Sequence, residues 1–128
     1  MDGLRIVIPL MPITKKNSQR ILINPGTKRP FIAPSEKYKQ YEKACGWMLA
    51  KYGQPKIDYP VNVKALYYMP TRRRVDLVNL HEALHDILIK HGILEDDNSN
   101  IVATTDGSRV LYDKVNPRTE VIITKIDE

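Results

Sequence analysis

MPTRRRVDLVNLHEALHDILIKHGILEDDN, residues 69–98, carries the strongest signals for both the fold and the chemistry of this chain. Its apolar residues recur at helical spacing from Leu77 onward, and Gly92 is a typical stop, so we predict a helix over about residues 77–91. The alternating residues 61–69 and the proline that follows predict a strand immediately before it. Three arginines precede the helix and three acids follow it. We therefore expect a strand–loop–helix unit with opposite charges at its two ends.

Further elements lie on either side of this unit. Residues 4–10 are aliphatic and predict a strand. Residues 11–34 are rich in proline and basic residues, which indicates a long, partly mobile loop that could include a short hairpin around Asn24-Pro25-Gly26. A second helix is predicted from a Ser35 cap to about residue 52, with Gly53 as its stop. Its expected buried stripe consists of Tyr38, Tyr41, Ala44, Cys45, Met48 and Leu49.

The last third of the chain predicts β structure. Residues 101–105 and 109–112 suggest a hairpin that turns at residues 106–108, and residues 120–126 suggest a final strand. The order β-α-β-α-β-β-β predicts one α+β domain over residues 1–128. We expect a small mixed sheet with two main helices packed on one face.

Composition narrows the class of protein. The 128 residues include 20 basic and 15 acidic side chains, a net charge of +5 that is compatible with a nucleic-acid partner. No apolar run approaches the roughly 20 residues that a membrane helix needs. The first residues lack the pattern of a signal peptide, and the lone Cys45 cannot form an internal disulfide. We expect a cytoplasmic protein with no membrane partner.

The central helix contains a zinc-protease pattern. His81-Glu82-Ala83-Leu84-His85 fits HExxH, and His91 falls where the extended form of the motif has its third ligand. That form needs a glycine where this chain has Leu88, so the helix should continue and carry His91 away from His81. Surface histidines on an amphipathic helix are the simpler interpretation. A zinc hydrolase remains an alternative.

Acidic residues offer a second kind of metal site. At helical spacing, one face of the helix carries Asn79, Glu82, Ala83 and Asp86. Asp76 stands at the helix start, and a reversal at Gly92 could return Glu95, Asp96 and Asp97 towards it. Hard oxygen ligands of this kind bind Mg²⁺ or Mn²⁺, which can activate water for phosphodiester hydrolysis. The alternative is that Asp76 is only an N-cap and that residues 96–97 form only a polar turn.

The arrangement of these residues resembles the RusA family of Holliday junction resolvases. The residues that carry the resemblance are Arg72-Arg73-Arg74-Val75-Asp76-Leu77-Val78-Asn79-Leu80, Asp86, Gly92 and Asp96-Asp97. The resemblance implies a homodimer that nicks branched DNA, such as a four-way junction, in symmetric pairs with Mg²⁺, Mn²⁺ being a possible substitute. It also implies a role in DNA recombination and repair in a bacterial cell, with a prophage as a possible origin.

By matching position, Asp76 and Asp97 would be catalytic metal ligands, Asp86 and Asp96 supporting acids, and Asn79 a neighbouring polar contact. Two positions depart from the family pattern. Val78 replaces an aspartate, and Glu82 replaces a lysine. We expect Glu82, one helical turn beyond Val78, to serve as the missing catalytic carboxylate and metal ligand. The alternative is an impaired site in a protein that only binds branched DNA.

Basic residues near the acids are candidates for DNA binding. Guanidinium groups of Arg72, Arg73 and Arg74 would hold a phosphate beside the acids, and Lys15 and Lys16 would contact DNA from the early loop. The charge of the missing lysine could come from Lys15, Lys16 or Lys90. A solvated basic loop without a ligand is the alternative for the arginine run.

Overall fold

The computed structural model describes residues 3–15, 19–34 and 36–126, and of residues 19–20 and 31–34 it describes the backbone alone. Seven strands and two α-helices make up this part of the chain. They are β1 Leu4–Ile8, β2 Gln19–Ile23, β3 Pro30–Pro34, α1 Glu36–Leu49, β4 Val61–Met69, α2 Leu77–Lys90, β5 Val102–Thr104, β6 Arg109–Tyr112 and β7 Arg118–Lys125. None of the helices in these ranges is long and apolar enough to cross a bilayer.

Five of the strands form one mixed sheet. Strand β7 lies between β1 and β4 and is antiparallel to both, while β5 and β6 pair with β4 in parallel. Strands β2 and β3 form a separate antiparallel pair, so the hairpin suggested around residues 24–26 is present. The mixed sheet and the two helices confirm the predicted α+β class.

The predicted hairpin of β5 and β6 is wrong. Both strands run parallel to β4 and lie one after the other along it. Side chains bridge the interruption between them: Asn62 Oδ1 accepts the Asp106 N–H at 2.7 Å, and Ser108 Oγ accepts the Ala65 N–H at 3.0 Å. These bonds satisfy backbone groups that a sheet would otherwise leave unpaired, and they hold residues 106–108 against β4.

Alternation along the strands places one face of the sheet under the helices. In β4 the odd-numbered residues Val61, Val63, Ala65 and Tyr67 are buried, and their neighbours are only partly covered. The core also contains Ile6, Ile8, Val121 and Ile123 from the sheet and Tyr38, Tyr41, Cys45, Leu49, Leu80, Leu84, Ile87 and Leu88 from the helices. Burial of each large apolar side chain contributes about 1.5–3 kcal/mol.

The first helix is close to its prediction. It ends at Leu49, continues as a 3₁₀ turn over Ala50–Tyr52, and stops at Gly53 with a φ of 73°. The predicted Ser35 cap lies outside the described residues. Met48 is 37% exposed, so its assignment to the buried stripe is wrong. At about 100° per residue it falls at the margin of the stripe formed by Tyr38, Cys45 and Leu49.

The two helices approach closely at Gly46. A Cβ atom at this position would lie 2.5 Å from Cε1 of His91, the residue that ends α2. The imidazole Nε2 of His91 lies 3.3 Å from the Glu42 carbonyl oxygen, and the Glu42 carboxylate accepts a hydrogen bond from Lys90 at 2.5 Å. These contacts fix the C-terminal end of α2 on α1.

Candidate functional site

Asp76 begins α2 without capping it. Its backbone is extended, with φ −87° and ψ 124°, but its carboxylate makes no hydrogen bond to a backbone N–H of the first turn. Instead, Oδ2 accepts a hydrogen bond of 3.3 Å from the Asn79 side-chain amide. The carboxylate is exposed at the positive end of the helix dipole. The interpretation of Asp76 as only an N-cap is therefore not supported.

The arginine run lies in the loop between β4 and α2. Arg72, Arg73 and Arg74 are all exposed. The Arg72 guanidinium stacks over the ring of Tyr112, with Cζ 4.2 Å from the ring centroid. This cation–π contact holds one cation of the run against strand β6 while its N–H groups stay available to a ligand. The loop thus presents positive charge directly before Asp76.

Lys15 approaches α2 from the segment that follows β1. Its ammonium group forms an ion pair with the Asp86 carboxylate, and Nζ lies 5.9 Å from the ring centroid of Tyr38. Burial above all raises the pKa of Tyr38 well above its ordinary value, and Glu42, Asp86 and Glu82 act in the same direction. The Glu82–Asp86 face of α2 is therefore close to Tyr38 and Lys15.

The other two candidate lysines differ in position. Lys90 pairs with Glu42 on α1, at the end of α2 that contacts Gly46. Lys16 lies outside the described residues. Lys15 is thus the lysine that the described part of the chain places against a candidate acid of α2.

His85 is buried in the middle of α2, with 9% of its surface exposed. The interpretation of both motif histidines as surface residues is wrong for this one, because it adjoins the apolar stripe of Leu84 and Leu88. Burial lowers the pKa of His85, while the carboxylates of Asp97 and Asp86 raise it. Both carboxylates therefore act electrostatically on this imidazole. The sequence pattern gave no sign that His85 is buried.

The two aspartates of the acidic turn after α2, Asp96 and Asp97, make different interactions. Asp96 accepts hydrogen bonds from the Asp97 N–H at 2.8 Å and from the Asn98 side chain at 2.9 Å. These two bonds hold the pKa of Asp96 below its ordinary value. The Asp97 carboxylate instead acts on His85. Asp96 thus shapes the turn, whereas the charge of Asp97 is felt by a residue in the middle of α2.

A short pairing reverses the chain after α2. Gly92 adopts a φ of 80°, and the chain then runs beside Ile57, whose N–H donates to the Ile93 carbonyl oxygen at 3.0 Å. The Glu95 N–H donates in turn to the Ile57 carbonyl oxygen at 2.9 Å. The reversal predicted at Gly92 is confirmed.

The predicted site residues fall into two groups. Lys15 pairs with Asp86 in the middle of α2, where Asp97 acts electrostatically on His85. Asp76 lies at the start of α2, about 15 Å of axial rise from Asp86, with Asn79 beside it. Glu82 is exposed between them. Over residues 3–15, 19–34 and 36–126, no three histidine, cysteine, aspartate or glutamate side chains are close enough to form a metal-binding group.

This finding counts against the zinc-protease alternative. His81 Nδ1 is hydrogen-bonded to the Tyr67 hydroxyl at 2.7 Å, and its ring stacks on His85 with centroids 5.5 Å apart. The helix continues through Leu88 as predicted, so His91 lies at Gly46 on α1. The three histidines of the motif serve packing.

Comparison with known proteins settles the family. The family model described as Endodeoxyribonuclease RusA matches residues 9–124, which include the arginine run, α2 and the acidic turn. The chain belongs to the RusA family of endodeoxyribonucleases. It is also similar to the crossover junction endodeoxyribonuclease RusA of Aquifex aeolicus (strain VF5), with 26% identity over 99 residues that cover 77% of this chain and 75% of the relative. The RusA resemblance drawn from residues 72–97 is confirmed, and with it the assignment to the nucleases.

The donors of this RusA chain suit a hard divalent cation. Asp86 and Asp97 offer carboxylate oxygens at His85, and both are partly or fully exposed. Mg²⁺ is commonly held by one or two carboxylates, with water and substrate phosphates completing its octahedron. The carboxylates of Asp86 and Asp97 are thus of the chemical type that such an ion prefers, and a Mg²⁺ site does not need the three-residue cluster of a structural zinc site.

Proposed function

We propose that this chain is a Mg²⁺-dependent endonuclease that resolves four-way DNA junctions by paired, symmetric nicks, with Mn²⁺ able to substitute. The observation that carries the proposal is the ion pair of Lys15 with Asp86 in the middle of α2, beside His85, on which the Asp97 carboxylate also acts. Hydrolysis of a phosphodiester requires carboxylates that bind a metal ion and a positively charged side chain that binds the phosphate.

The acids have different roles in this proposal. Asp97 and Asp86 would hold Mg²⁺ beside His85, and Asp76 with Glu82 would supply carboxylates along the same helix towards the arginine loop. When bound, the metal ion would activate water and neutralise charge on the phosphodiester. Asp96 supports the site through the turn that orients Asp97. Glu82 replaces the carboxylate that Val78 lacks.

Lys15 supplies the cation that is missing at position 82. Its ion pair with Asp86 keeps the ammonium group at the acids before DNA binds. A phosphate at the site would then meet a positive charge that is already in place, and little reorganisation is needed when negative charge develops. Lys90 is engaged with Glu42 and does not provide this charge.

DNA would be held mainly through its phosphates. Arg72, Arg73 and Arg74 lie exposed before the N-terminus of α2, and Asn79 offers an amide beside Asp76. Guanidinium groups and a helix N-terminus both favour phosphate oxygens. Lys16 would add to this surface from the early loop.

The biological setting follows from the relative's name and from symmetry. The Aquifex protein is named a crossover junction endodeoxyribonuclease, and we extend that substrate to this chain. A homodimer would place two identical sites on two symmetric strands of a junction. We place the activity in DNA recombination and repair in the cytoplasm of a bacterial cell, with a prophage as a possible source of the gene.

A second candidate function is binding of junctions without cleavage. Val78 motivates it, since this apolar side chain is 74% exposed where the family pattern has a carboxylate. A labelled synthetic four-way junction incubated with Mg²⁺, Mn²⁺ or EDTA, beside a linear duplex, separates the two. We expect metal-dependent nicks in the junction alone. Tight binding with no cleavage under either metal would support the binding-only function instead.

A further inference from the structure

Strands β2 and β3 form a hairpin that is separate from the main sheet. Its turn is closed by hydrogen bonds: the Lys28 N–H donates to the Asn24 carbonyl oxygen at 2.7 Å, and the Gly26 N–H donates to Asn24 Oδ1 at 2.8 Å. A further bond of 3.0 Å joins the Asn24 N–H to the Arg29 carbonyl oxygen. The segment is therefore a β-ribbon, which we call the arm (residues 19–34).

Two large apolar side chains of the arm are exposed. Ile21 and Ile23 show 73% and 68% of their surfaces. They stand at alternate positions of β2 and so lie on one face of the ribbon. A single exposed isoleucine is ordinary, but two on the same face of a ribbon separate from the main sheet mark a surface that suits a partner.

Charge on this part of the chain identifies the kind of partner. Residues 3–35 include six basic residues and no acidic one. Lys28 and Arg29 are exposed at the turn of the arm, directly beyond Ile23. A second copy of the arm would bring like charges together, whereas a polyanion with apolar surfaces would satisfy both features. Nucleic acid, with its phosphates and base faces, has this chemistry.

The root of the arm is close to the candidate site. Gln19 follows Lys15 by four residues, which span at most about 14 Å. Because the Lys15 side chain reaches Asp86, the arm begins four residues from a residue that contacts the acids of α2. DNA at the site would therefore pass beside the arm.

We propose that the arm recognises the branch point of the DNA substrate, with Lys28 and Arg29 on phosphates and Ile21 and Ile23 against bases whose stacking the branch interrupts. A two-stranded ribbon fits a DNA groove, and apolar side chains that enter base steps favour distorted DNA. This inference rests on the proposed function and extends it, since it assigns the preference for branched over linear DNA to the arm.

The test compares DNA binding of the wild type with Ile21→Thr/Ile23→Thr, which keeps β-branched residues in the strand. Binding is measured in EDTA, so that cleavage plays no part, with a four-way junction and a linear duplex of equal length. We expect the variant to bind the junction about tenfold more weakly, because less apolar surface is buried against the bases, and to bind the duplex with unchanged affinity. 2-Aminopurine at the branch point should brighten with the wild type and not with the variant.

Lys28→Ala/Arg29→Ala is the matched control, and it should weaken binding to both DNAs equally, with a shallower salt dependence. A threonine variant that keeps the junction preference would overturn the arm's role while leaving the proposed function intact. A wild type without any junction preference would instead contradict the proposed function. A change from dimer to monomer in sedimentation, or a lowered Tm of the threonine variant, would also overturn the inference, because the isoleucines would then be packed against protein.

Discussion

The ammonium group of Lys15 is paired with the carboxylate of Asp86, although 71 positions separate the two residues in the chain. This contact ties the segment after β1 to the middle of α2, where the Asp97 carboxylate also raises the pKa of His85 against the effect of burial. The pair joins the early basic region to the acids and gives the candidate site both signs of charge.

Lys15→Ala should therefore impair cleavage more than binding. Removal of one preorganised group that stabilises developing negative charge, such as an oxyanion-hole donor, lowers a rate by about 10²–10³-fold, and we expect a loss of this order. Lys90→Ala is the control, because Lys90 pairs with Glu42 at the far end of α2 and should leave the rate unchanged. Single-turnover nicking of a junction measures both rates. Equal rates for Lys15→Ala and the wild type would exclude Lys15 from the chemistry.

Glu82 should carry part of the metal-dependent activity. Glu82→Gln keeps the size of the side chain and removes its charge, so we expect a lower rate at a given Mg²⁺ concentration and partial recovery as Mg²⁺ rises. Val78→Asp should recover activity in the Glu82→Gln background, since position 78 lies one turn away on nearly the same exposed face. A Mg²⁺ titration of the nicking rate tests this. Full activity of Glu82→Gln alone would refute the proposal that Glu82 replaces the carboxylate missing at position 78.

The arginine run should make DNA binding depend on salt. Each phosphate contact that is lost reduces the slope of log affinity against log salt by about one unit, so Arg73→Ala and Arg74→Ala should lower it stepwise. Arg72→Ala should also loosen the loop, because its guanidinium stacks on Tyr112. Fluorescence anisotropy at several salt concentrations provides the slopes. Slopes identical to that of the wild type would show that these arginines are only solvated.

Gly46→Ala should destabilise the fold by about 1–3 kcal/mol, because the new methyl group would collide with the His91 ring. Urea unfolding measures the free energy. The double variant Gly46→Ala/His91→Ala completes the comparison. Removal of the His91 ring should relieve the collision, so the free-energy changes of the two single substitutions should not add. Strict additivity would mean that this contact does not limit the approach of the helices.

Local patterns predicted much of the fold. Strand β4 was expected over residues 61–69 and α2 from residue 77, and the structure has Val61–Met69 and Leu77–Lys90. Alternating or helical periodicity and a stop glycine are signals that short segments carry by themselves. Which strands pair with one another is not encoded in a short segment. The β5–β6 hairpin failed as a prediction because Asn62 and Ser108, far apart in sequence, hold both strands along β4.

Local patterns likewise predicted some features of the candidate site and not others. Asp76, Asp86 and Asp97 could be named from their spacing and from the RusA resemblance. The burial of His85, and the choice of Lys15 rather than Lys90 as the cation at the acids, depend on how α1, α2 and the segment after β1 pack together. No local pattern contains that information. Lys16 lies outside the described residues, and its DNA contact stays a prediction.

The most direct test of the site is single-turnover cleavage of a four-way junction by Asp97→Asn and by the wild type, with binding measured in parallel in EDTA. Asparagine keeps the size of the side chain and removes the charge that acts on His85. We predict paired, symmetric, Mg²⁺-dependent nicks with the wild type, and unimpaired junction binding with almost no nicking by Asp97→Asn. Equal nicking by the two proteins would contradict the assignment of the site.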